Sequence, residues 1–333
     1  MTQATIFGCA GPALAAEERA FFADARPWGF ILFGRNIVSP DQVRSLVTAL
    51  RASVDRPDAP VLIDQEGGRV ARLKPPHWRL YPPGRAYGEA GADIARLGAR
   101  LMAHDLLGLG INCDCAPVLD VPEPGAHDVI GDRAYGETPA SVIALGRAVA
   151  EGLIAGGVLP IIKHIPGHGR ARSDSHLELP VVEASLAELE ARDFAPFKAL
   201  ADMPAAMTAH VVYSAIDPDL PATTSPAVIE RVIRGSIGFD GLLISDDLSM
   251  KALSGALPSR ATQSLDAGCD IVLHCNGDPA EMAAVAQGAR TLAGRALARA
   301  QAALARLPAV PEPFDAVAGR SRFDAVFGER FAA

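Results

Sequence analysis

Four stretches of this chain gather side chains that could attack carbon, move protons or grip hydroxyl groups. In ISDDLSM, residues 244–250, two acids follow a strongly apolar run. An acid at the end of such a strand is partly desolvated and fixed in direction, which suits a nucleophile or a general base. The plainer use of such an acid is to cap the next helix. We assign that role to Asp247 and the chemistry to Asp246. In KHIPGHGRARSDSH, residues 163–176, Lys163, His164, His168, Asp174 and His176 crowd into one segment. Pro166, Gly167 and Gly169 mark it as a non-helical, hinge-capable loop, and the sequence predicts that 166–175 moves over a ligand. Asp174 and His176 stand two apart. In an extended loop both side chains project to one side, so the acid can hold and polarise the imidazole, and the histidine can work as acid and base near neutral pH.

DQEGGRVAR, residues 64–72, places Asp64 at a strand end, where its carboxylate can accept hydrogen bonds from hydroxyl groups. Gly67 and Gly68 permit a tight turn, and Arg72 can return to the same place. GDRAYG, residues 131–136, is a further loop with Arg133 on it, for which a surface salt bridge is the ordinary reading. Metal binding is disfavoured. The spacing H-x3-H-x7-H across two glycines matches no common zinc pattern, so neither a metal nor a cofactor is expected.

These residues need a scaffold that brings distant segments together. Short apolar runs alternate with stretches of helical period. The strands read as 4–8, 29–33, 60–64, 111–117, 159–164, 205–210, 241–246 and 270–274. Between them, Ile94, Leu97 and Leu101, and then Val142, Leu145 and Val149, repeat at i, i+3, i+7 as one apolar stripe per helix. Ser185 and Glu188 form a capping box. Asp278 and Pro279 predict the start of a long Ala-rich helix reaching about Leu307, followed by a terminal wrap. Eight strand–helix alternations predict a single (β/α)8 TIM-type barrel over residues 1–333, with a C-terminal helix and tail from about 278. A doubly wound open sheet is the alternative, but no G-x-G-x-x-G follows the first strand. Asp64, Asp120, Lys163, His164, His210, Asp246 and His274 all fall at or just after strand ends. A barrel gathers those ends on one face, whereas an open sheet spreads them too far apart to cooperate.

Composition narrows the partners. Apolar residues make up 49% of the 333 residues and charged residues 21%, enough for a large buried core. The net charge is −8 and no long basic run occurs, which disfavours nucleic acid and anionic membranes. The five cysteines have no disulfide-framework spacing, and Cys113 with Cys115 reads as a buried thiol pair. The N-terminal segment lacks the basic region of a secretory signal, and no apolar run approaches membrane-spanning length. A reducing cytoplasm and a monomer are the expectations.

Taken together, DQEGGRV (64–70), APVLDV (116–121), GDRAYG (131–136), KHIPGHG (163–169) with DSH (174–176), MTAHVVY (207–213) and SDDLSM (245–250) resemble the bacterial β-N-acetylhexosaminidases of glycoside hydrolase family 3. The motifs stand in that family's order and span residues 30 to about 275. The resemblance implies a barrel fold and a retaining, two-step mechanism. It implies Asp246 as nucleophile, His176 as acid/base and Asp174 as its dyad partner. It also implies that Asp64, Arg72, Arg133, Lys163 and His164 bind a terminal N-acetylglucosamine. Ile165 departs from the family, standing where an aromatic residue is common, which bears on packing and not on the chemistry. The resemblance further implies a role in cell-wall recycling, on a small carbohydrate substrate, a muropeptide: N-acetylglucosamine β-1,4-linked to a peptide-bearing anhydro-N-acetylmuramic acid. No second, sandwich-like domain is expected.

Other readings remain at this point. One is a family 3 β-glucosidase or broader exo-glycosidase, against which the Asp174–His176 pair argues. Another is transfer to phosphate instead of water, because a neutral histidine repels an anionic acceptor less than a carboxylate does. The last is a non-catalytic sugar-binding barrel, against which the presence of both Asp246 and His176 argues.

Overall fold

Eight parallel strands close on themselves in sequence order: β1 (Gln3–Gly8), β2 (Pro27–Leu32), β3 (Val61–Ile63), β4 (Cys113–Asp114), β5 (Leu159–Ile165), β6 (Ala205–Thr208), β7 (Leu242–Asp247) and β8 (Ile271–His274). The closing pair is β8 with β1, where Phe7 lies beside His274. The computed structural model describes residues 1–175 and 177–328. Every residue of β2 and β5 is buried. That is why these strands read as continuous apolar runs and not as alternating ones: helices cover one face and the barrel core fills the other.

The helices follow local rules. Pro40–Ser53 starts at Ser39, whose hydroxyl accepts from the Gln42 N–H, with Pro40 in the first turn. It buries Val43, Leu46, Val47 and Leu50 at i, i+3, i+4, i+7. Ala92–Leu107 and Pro139–Ala155 carry the two predicted apolar stripes and pack against each other. The Ser185–Glu188 capping box forms, with the Ser185 N–H donating to Glu188 at 2.9 Å. Among the described residues, no helix is long and apolar enough to cross a membrane.

Three expectations need correction. The fourth strand is only two residues long, not 111–117. Beyond Asp114 the chain still bonds to both neighbours, through the Cys115 N–H to Ile63 and the Ile161 N–H to Ala116, but Pro117 has no N–H to continue a regular ladder. The Ala-rich helix begins at Asp278 as expected, with two amide bonds to its carboxylate at 2.9 Å, yet it is two helices, Pro279–Gly288 and Gly294–Ala305. The break has a cause. Residues 289–293 run extended beside β1, where the Ala4 N–H bonds to Arg290 and the Leu292 N–H to Thr2. The tail also holds more order than a wrap: helix Ala316–Phe327 buries Phe323 against Ala92–Leu107.

Candidate active site

The C-terminal strand ends ring a cavity of about 280 Å³. Its polar wall comes from the turn after β3. Gln65 points away from the cavity and staples that turn, accepting from the Arg72 and Leu73 N–H groups at 2.8 and 3.0 Å. Asp64 and Glu66, one residue to either side of it, both line the cavity. Gly67 makes the close return possible. Its φ is +102°, and a Cβ there would stand 2.2 Å from the Pro82 carbonyl oxygen.

Lys163, in β5, ties the two acids together, with Nζ 2.8 Å from Asp64 Oδ1 and 2.7 Å from Glu66 Oε1. Arg133 clamps Glu66 bidentately, both bonds 2.8 Å long. Arg72 does return to the pocket, reaching Asp64 Oδ2 at 3.0 Å and resting over the Phe33 ring. Burial alone raises a carboxyl pKa, but here the cations outweigh it. Lys163 and Arg72 hold Asp64 well below the usual range, and Arg133 and Lys163 hold Glu66 down to about 2. The same acids overcome the desolvation of Lys163 and keep it firmly protonated.

Next along the rim, His164 Nδ1 lies 2.7 Å from Asp120 Oδ2. Asp120 is fully buried, and its other oxygen accepts from the His168 N–H at 2.7 Å and the His164 N–H at 3.2 Å. Burial raises its pKa, but His164, His168 and these bonds bring it below the usual range, so it accepts. Nδ1 of His164 is thereby assigned the hydrogen, which leaves Nε2 as the ring's other polar atom.

Asp246, the penultimate residue of β7, lines the same cavity. The N–H of Asp247 donates to Asp246 Oδ1 at 2.8 Å. Burial pushes the Asp246 carboxyl up, but His210, His164, that N–H and Lys163 together hold it below the ordinary value. A desolvated carboxylate kept ionised in a cavity wall can attack an electrophilic carbon. Met207, Met250, Leu273, Phe33 and Ile130 supply the apolar part of the cavity lining.

All five expected binding residues (Asp64, Arg72, Arg133, Lys163 and His164) therefore meet at one cavity together with Asp246. His176 lies outside the described residues. Asp174 is described: its carbonyl accepts from Leu177 and Glu178 at 2.9 and 3.0 Å. Ser175 lines the cavity, 3.2 Å from His168 Nε2. Asp247 does not cap a helix, because a turn follows and the next helix starts at Leu257. Its carboxylate instead accepts from the N–H groups of Ser249 and Cys275, at 3.1 and 3.2 Å, stapling β7 to the end of β8. The glycines of the 166–175 segment serve close packing. Pro166–Gly169 is buried, the Tyr213 hydroxyl donates to the Gly167 carbonyl at 2.6 Å, and a Cβ on Gly169 would lie 2.0 Å from the Val121 oxygen.

Sequence reasoning passed over Glu66, and it named Asp120 and His168 near the site without giving either a role. The first was legible as the i+2 partner of Asp64 on an extended segment. Asp120 was marked only by its place after a strand and within the APVLDV motif, neither of which points to its bond with His164.

Residues 4–309 match the model of the glycosyl hydrolase family 3 N-terminal domain. A beta-hexosaminidase of Methylococcus capsulatus is 44% identical over 279 residues, covering 81% of this chain and 82% of its own. NagZ from Neisseria gonorrhoeae, crystallised with N-trifluoroacetyl-D-glucosamine, superposes with a TM-score of 0.86 at 32% identity, over 97% of both chains. A family 3 β-N-acetylglucosaminidase from Paenibacillus gives 0.82 at 32% identity over 98% of this chain, which spans 62% of that longer protein. With every cavity-lining residue inside the matched stretch, the chain belongs to glycosyl hydrolase family 3.

Proposed function

We propose that this protein is a retaining exo-β-N-acetylhexosaminidase that removes a terminal β-linked N-acetylglucosamine. One observation carries the reading: Asp246, held ionised, shares one cavity with Asp64 and Glu66, whose carboxylates are already paired to cations. Lys163, Arg72 and Arg133 are taken up by Asp64 and Glu66, and Asp246 and Asp247 add two more carboxylates to the lining, so among the described residues the cavity offers no free cation to an anion and suits an uncharged, hydroxyl-rich ligand. A volume of about 280 Å³ is near the lower end of ligand pockets, which suits one terminal ring and not a threaded chain. The names of the relatives, beta-hexosaminidase among them, support the same class.

In the proposed cycle, Asp64, Lys163, Arg133, Arg72 and His164 hold the ring by its hydroxyls. Asp246 attacks the anomeric carbon as positive charge develops there, and the glycosidic bond breaks. His176, protonated, gives its proton to the leaving oxygen, with Asp174 orienting it. A water deprotonated by the now neutral His176 then cleaves the sugar–Asp246 ester, and Asp246 returns as a carboxylate. The roles of His176 and Asp174 rest on the motif resemblance. So does the natural substrate we propose, a peptidoglycan fragment in the cytoplasm.

The test is a paired assay with an aryl 2-acetamido-2-deoxy-β-glucoside and the matching aryl β-glucoside. The reading expects the acetamido substrate to be cleaved and the plain glucoside to be a poor substrate. Preference for the plain glucoside contradicts it.

A further inference from the structure

His210 follows β6, is wholly buried, and does not line the cavity. Its ring nevertheless reaches the strand that carries Asp246. Nε2 lies 3.0 Å from the main-chain oxygen of Asp247. A carbonyl oxygen only accepts, so Nε2 carries the hydrogen. Nδ1 lies 2.7 Å from the hydroxyl of Thr223, and that hydroxyl lies 2.7 Å from the hydroxyl of Thr208. Both threonines are buried. In the neutral ring Nδ1 must accept, so the Thr223 hydroxyl turns its one hydrogen to the ring at 2.7 Å and not to the Ala209 carbonyl oxygen at 3.1 Å, and Thr208 donates to Thr223. This chain of donors fixes one tautomer and one ring orientation.

The other end of the chain is residue 247 itself. Its carbonyl takes the His210 bond, and its carboxylate is held by Ser249 and Cys275. The next amide, the Leu248 N–H, bonds to Leu273 in β8 at 2.9 Å. With its carbonyl and side chain clamped, residue 247 has one remaining polar group, the N–H aimed at Asp246 Oδ1 at 2.8 Å. Among the described residues the Asp247 N–H makes the one hydrogen bond to the Asp246 carboxylate, so its direction sets the direction of the carboxylate.

We infer that His210 is a positioning residue for the reaction: through the Asp247 backbone it aims the Asp246 carboxylate and holds it ionised. The inference rests on Asp246 being the nucleophile. Burial pushes the His210 pKa down, so at neutral pH it acts as an oriented dipole and not as a counter-ion. The titratable groups that face His210 are Asp246 and Asp247 from β7 and His164 from β5. Those around Asp246 are His210, His164, Lys163, His168 and Cys275.

His210→Phe fills the volume but removes the donor. It is expected to lower kcat on the order of 10-fold to 100-fold, as a misaimed reacting group does. KM should change little, because Asp64, Lys163 and Arg133 are untouched. The acid limb of the kcat/KM profile should move to higher pH, because a less supported carboxylate protonates more readily. His210→Gln keeps an N–H near the Nε2 position and should recover most of the rate. Thr223→Val, which strips the donor to Nδ1 without changing shape, should move kcat and the acid limb the same way by less. Active-site titration normalises each rate to folded enzyme. A loss of folded fraction with kcat and acid limb unchanged overturns the inference, and so does a His210→Gln no better than His210→Phe. Mapping the residue labelled by a fluorinated N-acetylglucosaminide inactivator separates the two ideas. A label away from Asp246 removes the nucleophile reading. A label on Asp246 formed at the wild-type rate in His210→Phe removes only the positioning role.

Discussion

The ammonium of Lys163 and the carboxyl of Asp64, 99 residues apart in the chain, meet at 2.8 Å on the wall of the cavity. The side chain of Lys163 is 3% exposed and that of Asp64 15%, so little water screens the pair. Lys163 also holds Glu66, which makes it the joint between the β3 turn and β5. Lys163→Met would leave two acids facing each other with only Arg72 and Arg133 as cations. Removing one partner of a buried pair costs about 3–5 kcal/mol. Arg72 and Arg133 place this case at about 3 kcal/mol. Equilibrium unfolding should show that loss, with a raised KM in the folded fraction. An unchanged unfolding midpoint would count against the pairing.

Acid sensitivity should have two stages of separate origin. Burial, with His164 adding to it, lowers the His168 pKa to about 4 from an ordinary value near 6.5. The unfolded chain therefore binds a proton there that the folded protein refuses. His168 contributes stability fully above about pH 6.5, and that contribution is lost as pH falls toward 4. Asp193 acts the other way over an overlapping window. Burial raises its pKa to about 6, so the folded state takes up a proton first and gains stability as pH falls from about 6 toward 4. Below about pH 4.5, Glu66, held down to about 2, loses its contribution progressively. Subtracting the melting curves of His168→Gln from wild type between pH 7 and 4 isolates the first stage. The variant should lose less stability on acidification, and parallel curves would contradict the assignment.

Gly169 tests the packing of the segment after β5. A methyl group there would stand 2.0 Å from the Val121 oxygen and 2.4 Å from its carbonyl carbon, and neither can swing aside as a side chain could. Gly169→Ala should destabilise the protein by about 2 kcal/mol or more. A melting temperature equal to wild type would show that the segment has room to yield.

The barrel was legible because each strand is buried on both faces and so reads as a short apolar run. β4 was placed correctly but drawn too long, as 111–117, because the apolar run continues past Asp114 while Pro117 has no N–H for a regular ladder. The split after Gly288 was hidden for a different reason. Residues 289–293 satisfy helical propensity locally, and only β1, nearly 300 residues earlier, offers the pairing that pulls them straight. Within the site, Asp64, Lys163 and Asp246 announced themselves as charges at strand ends. His210 was visible as a residue but not as a link, because its work is done on a backbone carbonyl that no sequence pattern marks. Asp247 was misread for the same reason: whether an acid caps a helix or staples a neighbouring strand depends on where the chain goes next.

The proposed mechanism depends most directly on which atom bonds to the sugar. Incubation with a fluorinated N-acetylglucosaminide inactivator, followed by proteolysis and mass mapping, should place the sugar on Asp246, within the peptide that carries ISDDLSM. A stable label on any other residue would contradict it.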